Sequence, residues 1–411
     1  MPDITALTRR YGSPLYVYQL DAVEQAYADL RAALPTPSVL YYSVKANPNR
    51  ALVRTLRDLG CRAEVSSAGE LDVAMAAGFA GADLLYTGPG KTDAEIADAL
   101  ARGVRRFSAE SADELHRLGR AALAHATEAT VLLRVNSTAA GGTSLRMTGA
   151  ATQFGVDEDQ VLADPGRFTA VPGTRLAGLH LYPVSNVLDE DSLIEAVQAS
   201  VSLAGRLRDK AGLPMRIVDL GGGFAAPYAQ PGDRPVYRRL GAALRAALDA
   251  DLSGWRTGDV EIAFESGRYL VGDSGRLATT VRDVKRSRGQ TFVVLDAGIN
   301  HLGGMSGLGK LARAAATPET GTAPTTAVHM VGPLCTPADV LGRSVQAPDL
   351  RAGDQVVFPN VGAYGLTASL VAFLGHPAPA EVVLRGTDVL EATRMRLVHE
   401  PVIVTPRTEP A

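Results

Sequence analysis

From about residue 38 the chain alternates short apolar runs with longer stretches of helical period, and it does so eight times before residue 270. SVLYYS, CRAEVS, DLLYTG, RRFSAE, EATVLLRV, RLAGLHLY, RIVDLG and VEIAFES read as strands. NRALVRTLRDLG, AGELDVAMAAGF, DAEIADALARG, SADELHRLGRAALAH, DEDQVLADP, DEDSLIEAVQASVSLAGRLRDKAG and VYRRLGAALRAALDADL separate them and carry apolar residues at helical spacing. Strand followed by helix, eight times over, is the pattern of a (β/α)8 barrel. A doubly wound sheet is the competing architecture, but it needs a crossover reversal that nothing in the chain marks. One further helix, LDAVEQAYADLRAAL, precedes the first strand and is expected to plug or close the barrel. The fifth unit carries NSTAAGGTSLRMTGAATQFG, a long insertion that reads as a functional loop.

After residue 270 the pattern changes. RLATTVRDVKR, QTFVVLDAG, TTAVHMVG, DQVVFPNVG, AEVVLRG and EATRMRLV are alternating or β-branched, with few helices between them, and predict an antiparallel β domain. The amino-terminal SPLYVYQL is strand-like and would join that sheet. The expected division is a barrel over 25–270 and a β domain built from 1–24 and 271–411. INHLGGMSGLGKLARAAATPETGTAPTT reads as a loop within the second unit. A hydrophobic content of 46% supports cores of this size, and a net charge of -3 predicts no polyanionic partner. No apolar run approaches the roughly 18 to 20 residues that span a bilayer, and MPDITALTRRYG lacks a signal-peptide core, so a cytoplasmic protein is expected. Cys61 and Cys335 form no metal or disulfide spacing, and no metal site is expected.

A barrel carries its chemistry at the carboxyl ends of its strands. Lys45 follows the first; Glu64, Ser66 and Ser67 end the second; Gly88, Pro89 and Gly90 follow the third. Glu110 ends the fourth, Arg134 and Asn136 the fifth, Tyr182 and Ser185 the sixth. The seventh runs into Gly221, Gly222 and Gly223, and the eighth into Glu265, Ser266, Gly267 and Arg268. Three glycines alone read as a tight turn. Beside Arg268, in the loops after strands seven and eight, they read as a phosphate site, because bare backbone N–H groups approach an anion closely. GGGFAA fits a loose dinucleotide pattern, but Pro227 interrupts the helix that should follow. TGPGKT imitates the end of a P-loop, but the required first glycine is Leu85. Neither NAD nor ATP is supported.

A lysine amine in a partly desolvated site forms Schiff bases with carbonyls, and pyridoxal 5'-phosphate is a carbonyl cofactor with its own phosphate. Lys45 would hold the aldehyde, the glycines and Arg268 the phosphate, and Glu265 the pyridine nitrogen. A carboxylate there keeps the ring protonated and favours the carbanion left by loss of carbon dioxide. A lysine at a strand end more often only snorkels to water; the companions of Lys45 argue otherwise.

The succession YYSVKAN, EVSSAGEL, DLGGGF, ESGRYL, GPLCTPADVL and VGAYGLT resembles the fold-type III pyridoxal-phosphate decarboxylases, the family of ornithine, arginine and diaminopimelate decarboxylases. The likeness runs from SPLYVYQL to GHPAPAE and implies the alanine-racemase-like architecture of barrel plus β domain. SAGEL, TGPGK, QFG, GPLCTP and AYGL with FLGHP resemble most the natural-product members that act on a glutamyl group held on an acyl-carrier protein. The resemblance implies that Lys45 binds the cofactor aldehyde, with Glu64 beside it, and that Glu265 meets the ring nitrogen. Ser185, Gly221 to Gly223, Gly267, Arg268 and Tyr364 surround the phosphate. It also implies a homodimer with shared active sites, in which Cys335 protonates the carbanion of the partner subunit. Cys335 and Tyr364 need not face the cofactor of their own chain.

The departures bear on substrate. Where relatives have His-x-Gly-Ser, with the imidazole on the cofactor ring, this chain has Tyr182-Pro183-Val184-Ser185. Tyrosine stacks equally but does not become cationic near neutral pH. After the cysteine, decarboxylases of basic amino acids place an acidic residue for the distal amine; here it is Thr336, and an amine without a carboxylate binds poorly. A carrier-tethered glutamyl- or aspartyl-type substrate fits Thr336 and a loop containing Arg146, and free diaminopimelate is the alternative. A racemase would place an arginine near the ring nitrogen, where Glu265 stands. A non-catalytic regulatory homologue would have lost Lys45, the phosphate residues or Cys335.

Overall fold

The computed structural model describes residues 3–136, 152–303, 316–319 and 325–400. Eight parallel strands close on themselves: β2 (Val39–Ser43), β3 (Arg62–Val65), β4 (Leu84–Tyr86), β5 (Arg106–Ala109), β6 (Ala129–Asn136), β8 (Thr174–His180), β9 (Ile217–Asp219) and β10 (Glu261–Ser266). β10 pairs with β2, and β5 with β6, which completes the ring. A two-residue strand, β7 (Val156–Asp157), adds to β6 beyond it. Inside the barrel Tyr41, Leu85, Leu132, Ala177, Ile217 and Ala263 form a cluster of their own. The eight expected strands are these eight.

The outer ring comprises α3 (Arg50–Asp58), α4 (Ala68–Ala76), α5 (Asp93–Ala101), α6 (Ala112–Ala124), the short α7 (Glu158–Ala163) and α8 (Gly166–Thr169), α9 (Glu190–Ala211) and α10 (Leu240–Asp251). α2 (Leu20–Ala33) buries Val23, Ala26, Leu30 and Ala33, one helical stripe. It packs against α3, α10 and the four-residue α11 (Arg268–Val271). β10 is followed by no long helix, so α2 fills that gap. Of the two expected roles, closing the ring is the one it takes. TGPGKT is helix-start chemistry: Thr92 caps α5 in a reciprocal box with Glu95, worth about 1 kcal/mol.

The second sheet runs β14 (Val340–Ala347), β13 (Thr326–Val331), β12 (Gln290–Leu295), β11 (Gly275–Ser287), β1 (Leu15–Gln19), β16 (Ala380–Arg385), β17 (Asp388–Arg394), with β15 (Gln355–Phe358) also on β11. It is antiparallel except for two pairings, β1 with β16 and β12 with β13. β1 is nearly all buried, as befits a strand between two others. The helix α1 (Ile4–Tyr11), capped by Asp3, precedes it. Among the described residues no helix is long and apolar enough to cross a membrane.

Candidate active site

The strand ends surround a cavity of ≈ 420 Å³. β2 passes into a single 3-10 turn, Val44–Ala46, that turns Lys45 into this space. The turn is held on both sides: Tyr42 donates to the Asn47 carbonyl at 2.8 Å, and Tyr364 N–H donates to the Ala46 carbonyl at 2.7 Å. Lys45 keeps 39% of its side chain open, because it faces the cavity, and its Nζ lies 2.9 Å from both oxygens of Glu64. Burial would lower the ammonium's pKa, but the Glu64 and Glu265 carboxylates outweigh it and leave the value raised. Glu64 is fully buried, which disfavours its charge; Lys45 and the hydroxyls of Thr87 and Ser43 overcome this and hold it down at about 2. Ser66 also donates to Glu64, at 3.0 Å.

Glu265 stands across the cavity from this pair, two residues before Gly267. Burial, followed by the nearby charges of Glu64 and Asp219, pushes its carboxyl well above the ordinary range. Beside it lie His180, which also lines the cavity, and the fully buried Asp219, the last residues of β8 and β9.

A smaller polar recess adjoins the cavity, lined by Ser43, Ser185, Gly223, Ser266, Gly267, Arg268 and Tyr364 among others. The Arg268 guanidinium lies 4.8 Å from the centre of the Tyr364 ring. The Ser266 hydroxyl is buried and has no hydrogen-bond partner among the described residues. The glycines are required by close packing as well as by any ligand. A Cβ on Gly221 would lie 2.4 Å from the Leu181 carbonyl oxygen, one on Gly222 2.6 Å from that of Glu265, and one on Gly267 2.7 Å from Ala46 Cβ. Gly221 and Gly223 also have φ of +68° and +106°. An orphaned hydroxyl, an arginine and bare backbone make a donor set that fits a phosphate. With Lys45 and Glu265 at the other end, the residues fit pyridoxal phosphate.

Tyr182 lies beside the glycines: its Oη is 3.4 Å from the position of a Cβ on Gly222. Arg134 stands 5.9 Å from its ring, and burial pushes the phenol up. The unusual Val184 has a steric explanation. Its Cγ2 sits 3.0 Å from where a Cβ on Gly223 would be, so the valine occupies space the glycine leaves. Val187 N–H donates to the Gly223 carbonyl at 2.8 Å and keeps the loop on β9.

Tyr364 reaches the cavity of its own chain, at φ +53°. Cys335 is exposed, and neither it nor Thr336 lines that cavity. Their turn is fixed by Asp339, whose buried carboxylate accepts from Ile299 N–H at 2.8 Å and Leu334 N–H at 2.7 Å. Arg146, most of the insertion around it and most of the INHLGGMSGLGK loop lie outside the described residues.

Four more rim residues carry interactions that the strand-end pattern does not single out. Thr87 and Lys91 stand just after β4, and His180 and Asp219 end their strands. Thr87 and Lys91 flank the Gly88-Pro89-Gly90 turn, and the other two lie just before Tyr182 and Gly221. A polar residue at the last position of a strand is the signal that points to His180 and Asp219. Arg134 is tied to Glu110 at 3.0 Å and stacked 4.7 Å from the Phe154 ring, while Glu110 accepts from Gly155 N–H at 3.0 Å. QFG is thereby fastened to the fourth and fifth strands.

Comparison with known proteins agrees with this geometry. Residues 20–272 match the family described as pyridoxal-dependent decarboxylase, pyridoxal binding domain. The chain is 34% identical to an L-glutamyl-BtrI acyl-carrier-protein decarboxylase of Niallia circulans over 98% of this chain and 96% of that one. It is 31% identical to a Staphylococcus aureus decarboxylase of a hydroxybutanedioate bearing an L-alanin-3-ylcarbamoylmethyl group, over 90% of this chain and 94% of the relative. The crystal structure of Helicobacter pylori diaminopimelate decarboxylase complexed with L-lysine superposes with a TM-score of 0.82, at 26% identity, covering 95% of each chain. With a lysine at the first barrel strand, a carboxylate at the eighth and a polar recess beside them, this chain is a member of the pyridoxal-phosphate-dependent decarboxylases of fold type III.

Proposed function

We propose that the chain removes the α-carboxylate of an aminoacyl group held on a carrier protein, with a glutamyl- or aspartyl-type substrate, in natural-product biosynthesis. The observation that carries this reading is the end-to-end similarity to a decarboxylase of a carrier-bound glutamyl group, together with a neutral Thr336 where an amine-binding acid would stand. When bound, pyridoxal phosphate supplies an electron sink for the pair of electrons left by carbon dioxide. Lys45 would secure its aldehyde, and Glu64 holds the ammonium beside the cavity. Ser185, Gly221, Gly222, Gly223, Gly267, Arg268 and Tyr364 would hold the phosphate, Tyr182 would cover the ring, and Glu265 would meet its nitrogen. Cys335, with Thr336 near the substrate tail, acts across a homodimer interface on the partner's site. That assignment is supported by a turn that Asp339 braces firmly, yet which lies off the cavity of its own chain. Arg146 is assigned to the acidic substrate.

The second reading, free diaminopimelate, is favoured by the likeness to the Helicobacter pylori enzyme. Mass spectrometry of a panel of free and carrier-loaded amino acids separates the two. The expected result is loss of carbon dioxide from a glutamyl- or aspartyl-carrier and little turnover of the free acids. Rapid decarboxylation of free diaminopimelate refutes the carrier reading.

A further inference from the structure

At the inner end of the cavity wall three side chains from adjacent strands converge: His180 from β8 and Glu265 from β10, which line the cavity, and the buried Asp219 from β9. One nitrogen or oxygen of each lies within 4.8 Å of the others, and all three residues are at most 2% exposed. The imidazole is held at its far side, where Nδ1 is 2.7 Å from Ser108 Oγ. Its Nε2 is 3.3 Å from Glu265 Oε1. Among the described residues Nε2, Glu265 Oε1 and Asp219 Oδ2 have no hydrogen-bond partner, so imidazole and carboxyl face each other at contact distance without a formed hydrogen bond, whereas Asp219 Oδ1 accepts from Gly221 N–H at 2.8 Å.

Hydrogen-bond chemistry selects the tautomer. A hydroxyl both donates and accepts, but an ionised carboxylate only accepts. Facing an ionised Glu265, the imidazole therefore carries its proton on Nε2, toward the carboxylate, and Ser108 donates to Nδ1. Burial and then the Arg134 charge push His180 well below the ordinary imidazole range, so it stays neutral and donates without titrating. The groups facing Glu265 are Glu64 from β3 and Asp219 from β9, which favour its protonation, and Lys45 after β2 and Arg134 from β6, which oppose it. Burial and the two carboxylates win. A buried neutral acid would be a poor partner for a protonated ring, and the imidazole Nε2 faces the Glu265 carboxyl at 3.3 Å.

We propose that His180 is the positioning residue for Glu265: held by Ser108, its Nε2–H stabilises the ionised carboxylate, so that Glu265 gives its proton to the pyridine nitrogen it faces. In that transfer the Glu265 O–H bond breaks, the ring N–H bond forms, and no other proton moves. The inference rests on the reading that Glu265 meets the ring nitrogen.

The test uses the full chain freed of cofactor and 4'-deoxypyridoxine 5'-phosphate, which has the ring and phosphate but no aldehyde. The ultraviolet spectrum of the bound ring reports whether its nitrogen is protonated, independently of turnover. We expect the wild-type protein to keep the ring protonated to a midpoint at least about one pH unit above that of the free analogue. His180→Leu lowers the midpoint by about one unit, a tenfold loss of proton affinity, while His180→Gln, whose amide N–H replaces Nε2–H, restores most of it. An unchanged midpoint in His180→Leu overturns the proposal. If that variant fails to fold or to bind the analogue, Ser108→Ala decides: a lowered midpoint supports the proposal, and an unchanged one overturns it. Glu265→Gln separates the two layers. If it leaves the midpoint at the wild-type value, Glu265 does not face the nitrogen and the underlying reading fails; if it lowers the midpoint while both His180→Leu and Ser108→Ala do not, only the role of His180 fails.

Discussion

Lys91 is buried at the rim, where Lys45 is open to the cavity, and replacing it provides a sharp test of how the rim is held. Its side chain is 1% exposed and that of Glu114 3%. Nζ donates to Glu114 Oε1 at 2.6 Å, to the Gly88 carbonyl at 2.6 Å and to the Ser108 carbonyl at 2.7 Å, so all three ammonium protons are used. The other oxygen of Glu114 accepts from Glu110 N–H at 2.8 Å. Lys91 and Glu114 thus join the loop carrying Gly88 and Gly90 to the strand end that carries Glu110. Lys91→Met leaves a carboxylate buried without its partner, which costs about 3–5 kcal/mol. That is roughly two to three and a half powers of ten in the folded-to-unfolded ratio.

Adding Glu114→Gln removes the stranded charge while its amide oxygen still serves Glu110 N–H, so the double variant should be more stable than Lys91→Met alone. The assay is urea unfolding of the holoenzyme, followed by far-ultraviolet circular dichroism and cofactor absorbance, with the midpoint compared at constant slope. A loss below about 1 kcal/mol in Lys91→Met, typical of an exposed pair, refutes the argument. So does a double variant whose loss is the plain sum of the two single ones.

Lys45→Ala should end covalent capture of the cofactor and lower turnover by about three orders of magnitude or more; borohydride reduction should label the Lys45 peptide in the wild type only. Gly222→Ala must move the Glu265 carbonyl, which lies 2.6 Å from the new methyl group. It should cost about 1–3 kcal/mol and weaken pyridoxal phosphate binding by about 5- to 100-fold, measured by titration of the apoprotein. Stability should fall with acid in two stages. His301 is pushed down to about 4 by burial, so the unfolded state binds its proton first as pH falls from 6.5 to about 4. The contribution of Glu64, held at about 2 against an ordinary 4.5, is full above 4.5 and is lost as pH falls through about 2. Midpoints of thermal unfolding across that range check both signs.

The barrel was legible because its signal is local: each strand and each helix is a run of periodic residues, and each follows the last in a fixed order. Lys45, Glu265 and the glycines were legible because polar residues at apolar strand ends are conspicuous. The second sheet was harder. VLGRSVQA becomes β14 with an alternation broken by Gly342 and Arg343, and it overlaps the end of the GPLCTPADVL motif. The parallel pairing of β1 with β16 joins Leu15 to Ala380, which no local pattern encodes. ITALTRRY forms α1 from a short stretch whose main start signal is Asp3.

His180 and Asp219 carry the same strand-end signal as Lys45, but their role does not follow from it. Each sits next to apolar residues, in LHLY and VDLG, and only the closing of the ring brings both beside Glu265. Parallel register does this: His180 pairs with Asp219, and Asp219 with Ala263, two residues before Glu265 on the same face. A cluster made by three neighbouring strands has no sequence spacing to recognise. Residues that line the cavity were therefore readable from their residue type, whereas those packed behind them needed the register. The Ser108 to His180 to Glu265 chain is the consequence: Ser108 and His180 are 72 positions apart in sequence and Glu265 is further still, yet they lie one behind another inside a single ring of strands.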